Sequence, residues 1–323
     1  MNSLKIHKGN AGKGRMGAYT YSLFRLFLLL TIGYLIIYPL LYMIITSISS
    51  PQAFKNSVRV WIPTNFAIVN NFKKALSIME YGKSMVSTLK NEITSALIEV
   101  ASCAFISYGF ARFKFKGRNI FTALLFMSIL VPDMIVIIPK TLGYSHLDFF
   151  GILGLFNRLT GIDLRGNIIN SPLAFWLPSL LGVGLRSGIL IYIYIQFFSG
   201  LPAELEEAAW VDGAGPIRTF FSIALPSSGV VIMTVTVFSL IWHWNDSLLC
   251  GMYLSDEYPL AMRLNMFVET MYQKYMIQLH KQTPEGGALL MAGCLLFVLP
   301  MLVVYMILQR RFIESIDRVG ITG

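Results

Sequence analysis

The chain has 323 residues, of which 55% are hydrophobic and only 13% charged, whereas a soluble domain carries nearer 25% charged residues. With a mean hydropathy of +0.63, this composition excludes an ordinary soluble enzyme and points to an all-α integral membrane protein. The net charge of +9 does not require nucleic acid as a partner, because membrane proteins concentrate Lys and Arg on cytoplasmic loops beside anionic headgroups.

In chain order, residues 1–22 form a polar, basic N-terminal tail with Lys5, Lys8, Lys13 and Arg15. The apolar run that follows is too long for a signal peptide and has no clear small-residue cleavage site. About 20 apolar residues make a spanning helix. Six stretches within residues 23–309 qualify: Leu23–Ile45, Met85–Phe110, Asn119–Leu142 (broken by Pro132 and Pro139), Ala174–Phe198, Gly229–Leu249 and Ala288–Leu308. Residues 310–323 form a C-terminal tail that opens on Arg310-Arg311. With six spans, the tail at 1–22, the Arg112–Arg118 loop and the C-terminal tail share one side. All three are short and basic, which places both termini in the cytoplasm. Cys103, Cys250 and Cys294 fall in or beside apolar segments, at spacings that suit packing better than a disulfide or a metal.

The stretch 201–226 is an acidic island on the same side as the termini. Ser199 and Gly200 are candidate caps, and Pro202 stands near the first helical position. Glu204, Glu206 and Glu207 suit the positive end of a helix. Ala208 and Ala209 permit close approach, and Asp212-Gly213 gives a helix stop and turn. Pro216 restarts a helix with an apolar stripe of Ile217, Phe220, Phe221 and Ala224, and Pro226 ends the unit. Two short helices around a glycine also describe a DNA-reading motif, but the acidity and the apolar flanks oppose that reading.

This stretch resembles the EAA loop of permease subunits in bacterial ABC importers. Glu207-Ala208-Ala209, Gly213 and Ile223-Ala224-Leu225-Pro226 stand at that family's spacing. The block Tyr108 to Gly117 is similar to the one after the second span of carbohydrate-importer permeases. Gly184-Leu185-Arg186-Ser187-Gly188, Gln196-Phe197-Phe198, Trp242-His243-Trp244-Asn245-Asp246 and Tyr258-Pro259-Leu260 match further blocks, most closely in the maltose-type second permease. The Ser-Leu-Leu-Cys after Asp246 departs from the family, as does the long 143–173 loop.

The resemblance implies the transmembrane domain of a type I ABC importer that moves a sugar or oligosaccharide across the bacterial cytoplasmic membrane by alternating access. It implies a second permease, two ATP-binding subunits and an extracytoplasmic solute-binding protein as partners, beside membrane lipid. It makes Glu207, Ala208, Ala209, Asp212, Gly213, Ile223 and Pro226 the ATPase-coupling segment. No Walker loop G-x-x-x-x-G-K-[ST] occurs, so ATP and Mg belong to the partner subunits and this chain binds no cofactor of its own. No G-x-S-x-G or H-E-x-x-H occurs either, so catalysis by this chain is not expected.

Charged groups inside spans are functional candidates by default. Glu99, Asp133 and Arg186 lie near the middle of their spans, and Arg186 is expected to pair with Glu99 or Asp133. Such a pair is either a helix-packing device or the rim of a solute path. Trp242, His243, Trp244, Asn245 and Asp246, with Asp133, are candidates for that path, since sugars need hydrogen bonds and aromatic faces. The alternative is an interfacial aromatic belt. No i, i+4 His or carboxylate set appears there, so no metal is expected. Rival functions are an ABC permease for another solute, an intramembrane enzyme using Asp133 and Glu99 as paired carboxylates, and a passive channel.

Overall fold

The computed structural model of the chain describes residues 11–50, 65–148, 151–161, 165–276 and 284–320. Among these residues the regular structure is helical, and the only β features are two isolated bridges, Ser49–Phe66 and Leu147–Gly166. Residues 1–10 and 321–323 of the expected tails, and residues 51–64, 149–150, 162–164 and 277–283, lie outside the described residues.

The chain divides into two units, one made of residues 1–75 and 277–295 and the other of 76–276 and 296–323. In the first, helix α1 (Ala11–Ile48) begins within the expected tail and carries the first apolar run with its side chains exposed. Its end is tied down by Asn71, which donates to the carbonyls of Ser47 and Ser49 at 2.8 and 3.0 Å. Asn71 belongs to α2 (Ile68–Ile78), and in the same unit Lys74 pairs with Glu285 at 2.9 Å.

The second unit is built around one long helical run, residues 81–112. It consists of α3 (Tyr81–Ser87), a π turn (Thr88–Ile93) and α4 (Thr94–Arg112). The wider π turn rotates the following residues, so Asn91, Glu92, Ser95, Ala96 and Glu99 all face inward. Small residues on that face let neighbouring backbones come close: Ser107 donates to the carbonyl of Ile191 at 2.9 Å and Ser102 to that of Ser179 at 2.5 Å. Those carbonyls belong to α9 (Ser187–Gly200) and α8 (Leu173–Leu180). The third helix packed on α4 is α13 (Gly229–Trp244).

Three expected spans depart from straight helices. The third breaks into α5 (Arg118–Leu130) and α6 (Asp133–Ser145), bent by 106°. Pro132 is extended there and bars the preceding helix from continuing. Pro139, expected to be a second break, sits inside α6 without one. The fourth splits at 181–186, where Gly182 and Arg186 take positive φ of 71° and 58°. The fifth ends at Trp244, and Leu249 lies in a separate helix, α14 (Leu248–Tyr253). Among the described residues, three helices are long and apolar enough to cross a membrane, or up to six if each sharply bent pair is one span.

Two of the segments between the expected spans carry short helices of their own. The 143–173 segment contains α7 (Ile152–Thr160), whose first N–H groups are satisfied by Asp148: its two carboxylate oxygens accept from Leu153 and Gly154 at 2.8 Å each. The 250–287 segment contains α15 (Leu260–Asn265) and α16 (Phe267–Tyr275). At the other end, α17 (Pro284–Gly320) continues past residue 309, so no helix end marks the expected start of the C-terminal tail.

Candidate functional site

The 201–226 stretch folds as α10 (Glu204–Val211), a glycine turn, α11 (Pro216–Thr219), a π turn (Phe220–Ala224) and α12 (Leu225–Ser227). The expected caps differ. Helix α9 runs through Ser199 to Gly200, and α10 starts after Ala203 with no side-chain cap. The stop is a full Schellman closure. The Ala214 N–H donates to the Ala209 carbonyl at 2.9 Å and the Gly213 N–H to that of Trp210 at 3.0 Å, with Gly213 at φ 79°. Pro216 takes the N-terminal position of α11. Pro226 lies inside α12 and does not end the unit; the chain turns by 81° just beyond, before α13.

The expected apolar stripe splits in two. Phe220 and Ala224 are buried against Tyr108 and Phe198, with Phe220 and Tyr108 ring centroids 5.1 Å apart. Ile217 and Phe221 stay exposed beside Leu205, Trp210 and Val211, the last 88% exposed. Glu207, Ala208, Asp212, Gly213 and Pro226 are exposed; Ala209 and Ile223 are half-buried. The loop therefore presents an apolar and acidic surface on a rigid base. Sequence reasoning missed what fixes that base. Glu206 is buried and accepts from Arg112 Nε at 2.9 Å, while a terminal nitrogen of Arg112 donates to the Leu201 carbonyl at 2.7 Å.

Inside the bundle, Glu99 does not pair with Arg186. His243 lies between two carboxylates, with Nδ1 3.2 Å from Glu92 Oε2 and Nε2 3.0 Å from Glu99 Oε2. Ser239 donates to Glu99 Oε2 at 3.2 Å, and Ser187 donates to Glu99 Oε1. These groups are all buried. The pattern follows from reach: Glu99 and Ser239 face each other across α4 and α13, and Arg186 sits at the positive-φ entry to α9, which turns its side chain outward. Glu92 was not anticipated; its spacing of seven from Glu99, two helical turns, was the available signal.

Arg186 makes no ion pair among the described residues. Its guanidinium lies over the Trp242 ring, 5.1 Å from the centroid, and the Phe238 ring stacks with that of Trp242, 5.6 Å between centroids at an interplanar angle of 19°. Arg186 and Asp133 line one open cavity of about 390 Å³ with Pro132, Ser128 and Gly188, without pairing. The Trp242–Asp246 block is divided. Trp242 belongs to this aromatic surface. Trp244 and Asn245 line an apolar groove of about 260 Å³ with Phe297 and Tyr305. His243 and Asp246 are buried. Helical rotation of about 100° per residue scatters consecutive residues over different faces, so the block is not one continuous wall. The paired-carboxylate arrangement of Asp133 with Glu99 is absent too, since Glu99 is engaged by His243, Ser187 and Ser239.

Residues 102–318 match the family model described as "Binding-protein-dependent transport system inner membrane component". The chain is similar to the osmoprotective compounds uptake permease protein GgtD of Synechocystis sp. (strain ATCC 27184 / PCC 6803 / Kazusa), with 28% identity over 77% of this chain and 73% of the relative. It is 25% identical to the diacetylchitobiose uptake system permease protein NgcG of Streptomyces coelicolor (strain ATCC BAA-471 / A3(2) / M145), over 90% of this chain and 86% of that one. Among solved structures it resembles a chain of a bacterial ABC transporter involved in the import of the acidic polysaccharide alginate. The TM-score is 0.63 at 16% identity, covering 96% of this chain and 100% of that chain.

Proposed function

Because the chain belongs to the family of inner membrane components of binding-protein-dependent transport systems, we propose that it is one permease of a heterodimeric, ATP-driven importer of a sugar or oligosaccharide. A second permease completes the pathway, two ATP-binding subunits supply the energy with ATP and Mg, and an extracytoplasmic binding protein delivers the solute. Both termini and the 201–226 loop face the cytoplasm in this reading. The basic loop and tails support that orientation.

One observation carries the proposal: an exposed helix, glycine turn and helix with apolar side chains outward, on a chain that has no nucleotide-binding loop of its own. Leu205, Trp210, Val211, Ile217 and Phe221 are all exposed on this short helix–turn–helix unit, an apolar surface of the kind that marks a protein interface. Glu207, Ala208, Ala209 and Gly213 transmit force to the spans and do not touch solute. ATP closes the motor dimer, its docking grooves carry the paired loops together, and the bundle passes from one access state to the other.

A sugar is supported by the diacetylchitobiose relative and by the aromatic surface of Trp242 and Phe238. The exposed Arg186 favours an acidic group on the solute, whereas the GgtD likeness supports the second reading, a non-sugar osmolyte. Co-purification of the chain with its candidate ATP-binding subunits, compared with Gly213→Pro, tests the central claim. Wild type should bring the ATPase with it and the variant should not. A wild-type chain that binds no ATPase ends the proposal. Uptake of labelled oligosaccharides against osmolytes by the assembled complex decides the solute class.

A further inference from the structure

Next to His243 lies a group of side chains used neither by the exposed loop nor by the open cavity. The π turn Thr88–Ile93 brings in Glu92, the corner after α13 brings in Asp246, and the first turn of α14 brings in Cys250. All three are buried, and one donor atom from each lies within 4.8 Å of the other two. Cys250 Sγ is 3.1 Å from Glu92 Oε1. Asp246 Oδ1 accepts from the Leu248 and Leu249 N–H groups at 3.1 Å each, but Oδ2 is buried with no hydrogen-bond partner. An unpartnered buried carboxylate oxygen is costly and calls for a ligand.

We propose that Glu92, Asp246 and Cys250 form a buried divalent-cation site of the zinc class, pinning the π turn to the α13–α14 corner. The donor set decides the class. A thiolate with two carboxylates suits borderline-soft zinc, while calcium and magnesium take oxygen alone. Tetrahedral zinc places a thiolate sulfur and a carboxylate oxygen about 3.6 Å apart, so the 3.1 Å between Cys250 and Glu92 has to open by about half an ångström as the S–H contact is replaced. Three protein donors leave one position for a water. Charge agrees as well: His243 bridges Glu92 and Glu99, and Asp246, beside Glu92, adds a third buried carboxyl to that one imidazole. Glu92 Oε2 holds His243 Nδ1, the kind of outer contact that orients a ligating carboxylate. On binding, the Cys250 S–H bond breaks, an S–metal bond forms and the proton leaves to solvent, with no change of oxidation state. No metal was expected from the sequence because no i, i+4 set of His or carboxylates appears near Asp246, and Glu92 was not among the candidates. Asp246 and Cys250 nonetheless stand at the i, i+4 spacing of a helical ligand pair.

The test uses the full chain in lipid nanodiscs. A Cys103→Ala, Cys294→Ala background leaves Cys250 as the only thiol. Elemental analysis should find one zinc per chain, and cobalt loading should give thiolate-to-cobalt charge-transfer absorption. Cys250→Ser should abolish that absorption, and Asp246→Asn should weaken binding by at least the tenfold to hundredfold or so that outer-shell changes cost. Zinc well below one equivalent, or a cobalt spectrum without the sulfur band, overturns the site; so does metal retention in both variants equal to that of the single-thiol parent. If a variant fails to fold, the spectrum of the single-thiol chain decides alone. The outcome is independent of whether the ATPase binds, so the transport reading and the metal site fail separately.

Discussion

Arg112 and Glu206 are joined at 2.9 Å, with side chains only 12% and 4% exposed. The pair ties the end of α4 to the first turn of α10, and the same guanidinium holds the Leu201 carbonyl that ends α9. Three helix ends therefore meet on one side chain. Under the transport reading, this side chain is the link by which a displacement of α10 would reach the central helix of the bundle.

Arg112→Ala leaves the buried Glu206 carboxylate without its partner. Loss of one member of a buried pair costs about 3–5 kcal/mol, so the purified chain should unfold at lower temperature in a thermal-shift assay. Under the transport reading, the importer should also keep ATP hydrolysis while losing solute uptake, because docking remains and transmission fails. Unchanged uptake and thermal stability would show that the pair transmits nothing.

Gly213 has open space around its missing side chain but a φ of 79°. Gly213→Ala therefore costs conformation and not packing, about 1–2 kcal/mol. The isolated chain should remain folded by size-exclusion chromatography, and its affinity for the ATPase subunits should fall by about tenfold or somewhat more, the equivalent of 1.4 kcal/mol per decade. A variant that unfolds the whole chain would place Gly213 in the core of the fold instead.

Gly184 abuts the buried cluster. A methyl group there would stand 2.8 Å from Glu99 Oε1 and 3.1 Å from the Ser179 Cα. The backbone atom cannot swing aside as a side chain can. Gly184→Ala should destabilise the chain by about 1–3 kcal/mol, the usual cost of overpacking, whereas Gly109→Ala, with nothing within reach, should not. Denaturation midpoints of the two variants, measured side by side, check this.

Trp242→Ala removes the ring under Arg186. The contact itself is worth about 0.5–1 kcal/mol at an exposed site, so stability should change little. If this surface lines the solute path, the half-saturation concentration for uptake should rise severalfold with ATPase docking intact. Arg186→Lys should have a smaller effect on neutral than on acidic solutes, since lysine keeps the charge but not the planar fork.

The membrane class and the helix–glycine–helix loop were legible from local chemistry. Apolar length, turn residues and the Glu207–Pro226 spacing are properties of neighbours in sequence, and the backbone answers to them directly. Gly213 and Pro216 did what their φ preferences require. The partners of charged side chains were not legible. Arg186 was expected to pair with Glu99 or Asp133 because all three sit at mid-span, but depth says nothing of rotation about the helix axis. The π turn at Thr88–Ile93 and the positive φ at Arg186 set those rotations, and they turned Glu92 and Glu99 toward His243 and Arg186 toward Trp242. The sequence by itself determined that this chain crosses a membrane and carries a helix–glycine–helix loop. Only the tertiary structure decided which charges meet, because that depends on helix phase and on contacts between residues far apart in the chain.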